Sequence, residues 1–93
     1  MNTGDVAELL SIIPNPSSSG IIEAKMYLPW ESEVSIDLID SYGTYRSYKT
    51  YGSYSSGVQR LHISTAGLPS GEYSLQIHLN YGSLLSGRVV ILR

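Results

Sequence analysis

Apolar and polar residues alternate along three stretches of this chain. Ile22, Ala24, Met26 and Leu28 share one side of their run, and Glu23, Lys25 and Tyr27 share the other. Val34, Ile36 and Leu38 alternate with Ser35 and Asp37, which are read as facing water. Tyr73, Leu75, Ile77 and Leu79 alternate with Glu72, Ser74, Gln76 and His78. A period of two places every second side chain on the same face, so each run predicts a strand with one face in a core and one in solvent.

Four further runs complete the set. The apolar runs Leu9–Ile13 and Gly87–Arg93 have faces that the pattern cannot separate. In the run 58–63, Leu61 and Ile63 fall in phase and Val58 out of phase, which suggests a bulge. The fourth run carries Tyr42, Tyr45, Tyr48, Tyr51 and Tyr54, a tyrosine at every third residue. Gly43, Gly52, Thr44 and Thr50 argue against a helix there. In a strand, a step of three alternates faces, which predicts Tyr42, Tyr48 and Tyr54 on one side and Tyr45 and Tyr51 on the other.

Turn chemistry separates the runs: Pro14-Asn15-Pro16, Asp40-Ser41-Tyr42-Gly43, Ser55-Ser56-Gly57, Pro69-Ser70-Gly71 and Asn80-Tyr81-Gly82. Proline cannot donate to a ladder and biases its predecessor towards extended backbone, so the first strand is expected to stop at Ile13. Seven short strands at this spacing predict an all-β fold, a seven-stranded antiparallel β-sandwich of immunoglobulin or fibronectin III-like Greek-key type. Residues 1–8 read as a linker or leader with some helical character, and residues 9–93 as the domain.

Composition narrows the function. Ninety-three residues make one domain. Six basic and eight acidic residues give a net charge of −2 with no basic patch, which argues against nucleic acid. No apolar run reaches the ~18 residues of a membrane span. No secretory signal is read at the start of the chain. Without cysteine there is no disulfide, thiolate zinc site or cysteine nucleophile.

Candidate chemistry is sparse. His62 and His78 sit between core-facing residues and so point outward, and nothing flanks them at metal-ligand spacing. Asp37 and Asp40 read as wet. Asp40 is expected to accept backbone N–H bonds in the turn at Gly43. The serines lack a nucleophile-elbow context, and the glycines form no phosphate loop. No catalytic residue, metal site or cofactor is expected. Trp30, Tyr45 and Tyr51 are candidate stacking platforms for sugar rings, weighed against ordinary packing of aromatic residues in half-buried strands.

The order of the motifs resembles the C-terminal sorting domains (type A) of the type IX secretion system of Bacteroidetes. Ile12-Ile13-Pro14-Asn15-Pro16 followed by serines and Gly20 is similar to the family's opening, and Asp40-Ser41-Tyr42-Gly43 to its Asp-x-x-Gly turn. Leu68-Pro69-Ser70-Gly71-Glu72-Tyr73 is similar to its L-x-x-G-x-Y element, and Gly87-Arg88-Val89-Val90-Ile91-Leu92 to its closing strand. Two positions depart from the family pattern: Ile13 stands where an aromatic is common, and Arg88 where Lys is usual.

The resemblance implies a folded secretion signal with a cargo domain ahead of it. Its partners would be an outer-membrane translocon, a shuttle and a sortase-like transpeptidase that cuts in the linker and in some cases attaches the cargo to surface lipopolysaccharide. The cargo would pass through the periplasm to the cell surface or the medium. Pro14, Asn15, Pro16, Gly71, Tyr73, Arg88, Val89 and Val90 are the implied recognition residues. A carbohydrate-binding or adhesive module, and an immunoglobulin-like spacer, are the alternatives. The spacer reading rests on the run 27–40, which resembles strands of flagellar-hook-cap immunoglobulin-like domains.

Overall fold

The computed structural model describes residues 6–14 and 18–92, with Tyr45 and Arg46 by their backbone alone. Seven strands follow one another: β1 (Glu8–Ile13), β2 (Ile21–Leu28), β3 (Ser32–Asp40), β4 (Tyr45–Tyr54), β5 (Gly57–Ser64), β6 (Gly71–His78) and β7 (Leu84–Ile91). They form two antiparallel sheets, ordered β1-β2-β5 and β4-β3-β6-β7. The chain changes sheet between β2 and β3, between β4 and β5, and between β5 and β6. This is the predicted immunoglobulin or fibronectin III-like sandwich. Among the described residues no helix is long and apolar enough to cross a membrane.

The three alternating runs become β2, β3 and β6, and their apolar faces supply most of the core. Ile22, Ala24, Met26 and Leu28 meet Val34, Ile36, Leu38, Tyr73, Leu75 and Ile77, joined by Leu61, Ile63, Val89 and Ile91. All fourteen are buried. The first strand ends at Ile13, as the prolines require, and Gly20 turns the chain into β2 through a φ of +89°. The Asp40 carboxylate accepts from the amides of Tyr42 (3.1 Å) and Thr44 (2.9 Å), which fixes the β3–β4 turn as expected.

Bulges depart from the expectation. β5 pairs with β2 in unbroken register from Gly57 to Ser64, so Val58 is no bulge; it lies exposed on the solvent face opposite Tyr27. The irregularities fall on β1 and β4. In β1 the register slips at Leu10, which turns Leu9 and Ile12, three residues apart, onto the same core. In β4 it slips twice, around Tyr51-Gly52 and at Arg46. Gly52 adopts a φ of +87°, which an L-residue avoids. The slip places Tyr51 and Tyr54 together against the core, where strict alternation predicts opposite faces. Tyr42 lies before the strand, in the turn, fully exposed.

Candidate functional site

β7 carries the closing motif. It borders β6 alone within its sheet and pairs with it in regular register from Leu84 opposite His78 to Ile91 opposite Gly71. Alternation then divides the motif. Val89 and Ile91 point inward and are buried, so the Val89 side chain is core and not a recognition surface. Arg88 and Val90 take the outer face, opposite Ser74 and Glu72. The Arg88 guanidinium lies 3.6 Å from the Glu72 carboxylate with its side chain 75% exposed, a pairing too wet to hold the fold.

Gly87 has a packing role that the sequence did not disclose. A Cβ there would stand 2.8 Å from the Ile12 Cδ1 and the Leu9 Cδ2. The two layers therefore meet at this margin through a bare α-carbon, with β1 lying over β7. The same contact places the Ile13–Pro14 end of β1 on the β7 side of the sandwich. Pro14 is exposed at a bend, with a cis bond to Ile13. Asn15 and Pro16 lie outside the described residues.

The L-x-x-G-x-Y element builds a corner. Leu68 packs on the core, and Gly71 opens β6. The Tyr73 ring is buried, and its hydroxyl donates to the Pro69 carbonyl at 2.8 Å. A tyrosine bonding back to the preceding loop is the corner found at the equivalent crossover of immunoglobulin-type sandwiches. Gly71 and Tyr73 thus sit opposite Ile91 and Val89, beside the closing strand. An open groove of about 430 Å³ runs past this region, lined by Asp40, Glu72, Tyr73, Ser86 and Arg88 among others.

The aromatic candidates separate. Tyr51 rests against the core with its hydroxyl donating to the His62 carbonyl at 2.8 Å, and the Lys49 ammonium stands 5.3 Å from its ring centroid. Its ring is occupied by the protein itself. Burial pushes the Tyr51 phenol above its ordinary 10.0, and the neighbouring Tyr54 acts in the same direction. Trp30 lies half-exposed in an edge-on contact with Tyr81, centroids 6.1 Å apart. The Tyr45 side chain lies outside what the structure describes.

The outer face of the four-stranded sheet holds a cluster that sequence reasoning passed over. Asp37 is not wet: its side chain is only 13% exposed, and its Oδ2 lies 2.7 Å from the His78 Nε2. Ser35 sits directly across from His78, and Tyr48 directly across from Asp37. An open groove of about 480 Å³ is lined by these four residues. The available signal was an aspartate in the middle of a central strand, where aspartate is depleted. His62 has a plainer setting, 65% exposed and 3.3 Å from Glu23. Among the described residues, no three metal-ligating side chains gather into a cation site.

No protein-family model and no curated protein matches the chain. Among solved structures it is similar to CopC from Methylosinus trichosporium OB3b, with a TM-score of 0.60 and 17% identity over 92% of this chain and 91% of that one. At that identity the likeness concerns the sandwich fold alone.

Proposed function

We propose that this domain is a sorting signal of the type IX secretion pathway, read by the export machinery through β7 and the surface beside it. The observation that supports the reading most is the placement of the closing motif. It forms a strand in unbroken register at the border of its sheet, next to the L-x-x-G-x-Y strand. A border strand is the natural place for another chain to add a strand by backbone pairing, with flanking side chains setting specificity. Arg88 and Val90 supply those side chains here, and the groove at Glu72 and Ser86 supplies a seat. Gly71 and Tyr73 serve the signal indirectly, by holding β6 in place under β7. In this reading the domain is a substrate of the transport machinery and not a catalyst. Its cargo moves through the periplasm to the surface or the medium.

The test is export of a fused reporter in a type IX-secreting host. Arg88→Ala and Val90→Glu change only the outer face and should leave the fold intact. Both should reduce export at least about tenfold, or about 1.4 kcal/mol in recognition. Removing the whole domain should abolish it. Equal export with and without the domain refutes the proposal. Export that falls only in variants that also unfold, such as Val89→Asp, refutes the role given to the outer face.

A further inference from the structure

We infer that the outer groove at Tyr48, Asp37, His78 and Ser35 is a binding site for neutral saccharide, separate from the sorting surface at β7. The argument begins with Asp37. A carboxylate on the solvent side of a central strand contributes nothing to the core, and burying most of it is unfavourable unless it is paired. His78 provides one hydrogen bond, to Oδ2. Both side chains line the groove, so the paired carboxylate and imidazole present polar atoms to whatever enters it. The fold needs none of this, because any small β-former would satisfy the position.

Tyr48 supplies the second half of the site. It is 60% exposed and sits on the same cross-strand row as Asp37. An aromatic face beside a fixed carboxylate, an imidazole and the Ser35 hydroxyl suits a sugar ring. Its C–H face stacks on the phenol while its vicinal hydroxyls donate to Asp37 and exchange bonds with Ser35. The groove volume lies in the range of small-molecule sites. A smaller depression of about 170 Å³ shares Ser35, Tyr48 and His78 and extends the track towards Asn80, so a linear oligosaccharide has room to continue.

Charge selects among ligands. The Asp37 carboxylate disfavours phosphates and other anions. Its pairing with His78 leaves little attraction for a free ammonium. The Tyr48 ring is the one large apolar surface among the four, and the polar atoms of Asp37, His78 and Ser35 around it favour a guest that carries hydroxyls as well as a C–H face. A neutral polyol is what remains, held weakly because the groove is open.

The experiment is an NMR titration of the isotope-labelled 93-residue protein with glucose, mannose, N-acetylglucosamine and their linear oligomers. Amide shifts should move at Ser35, Asp37, Tyr48, Gln76 and His78, with a dissociation constant of about a millimolar for the best oligomer. Tyr48→Ala should weaken binding at least about tenfold with an otherwise unchanged spectrum, and Tyr48→Phe should retain it. Asp37→Asn should weaken it by a similar factor, about tenfold. No localised shift with any glycan overturns the inference, as do shifts centred on Trp30 and Tyr81 or binding that survives Tyr48→Ala. A response to methylammonium equal to that of the sugars overturns the assignment to saccharide. Reporter export by Tyr48→Ala should match that of the unaltered domain, so the two proposals fail independently.

Discussion

The four-stranded sheet has two borders, β4 and β7, and they are built in opposite ways. β4 slips register twice, carries a left-handed glycine at Gly52, and is fastened across the sandwich to β5 by the Tyr51 hydroxyl. β7 keeps regular register over its whole length, sends Val89 and Ile91 into the shared core, and has Leu9 and Ile12 of the other layer resting on Gly87. Bulges twist a border strand away from would-be partners, so β4 is closed to strand addition. β7 lacks that protection. The two borders of one sheet thus differ in whether the strand itself is irregular.

Three substitutions probe the contrast, in decreasing order of effect. Gly87→Leu should be the most damaging, since even a Cβ meets two methyl groups at 2.8 Å. Overpacking of this kind costs about 1–3 kcal/mol, and β1 should loosen first. Denaturant melts would read the loss, and hydrogen exchange would locate it in β1. A stability unchanged in Gly87→Leu would mean that the two layers do not need the bare α-carbon.

Gly52→Val comes next. A Cβ there would meet nothing within 4 Å, so the expected penalty is chiefly that of an L-residue at φ +87°, about 1–2 kcal/mol. If the strand straightens to relieve the strain, one of Tyr51 and Tyr54 must turn to solvent. Tyrosine fluorescence and a greater tendency to self-associate would reveal it. A variant as stable and monomeric as the parent would show that the bulge does not guard this border.

Tyr51→Phe should have the smallest effect, about 0.5–1 kcal/mol for one partly exposed hydrogen bond. Its clearest signature is alkaline. The folded chain holds the Tyr51 proton more tightly than the unfolded chain does. Stability from that group is complete below the unfolded value near 10.0 and falls as pH rises through the raised folded value. Unfolding titrations should therefore show a shallower alkaline decline in Tyr51→Phe than in the parent. Identical slopes would remove Tyr51 from the account of the seam.

The same contrast explains what the sequence could and could not reveal. β2, β3 and β6 lie inside their sheets, where pairing on both sides enforces a strict period of two, and their core faces were legible residue by residue. β1 and β4 lie at borders, where an extra residue is tolerated. Leu9 with Ile12, and Tyr51 with Tyr54, face the same way at a spacing that alternation assigns to opposite faces. Gly87 looked like part of a motif because its reason for being small sits on a strand some seventy-five residues earlier. Asp37 and His78 are distant in sequence and adjacent only through the β3–β6 register, so their pairing was invisible until strand order was known.

The Tyr73–Pro69 bond carries one more consequence. A ring anchored in the interior grips the crossover between layers from within, so this bend behaves as carpentry belonging to the scaffold. Evolution can therefore rewrite the trade of such a module on its rims and faces while the joint stays put. A match on the joint alone therefore marks the sandwich and not its task.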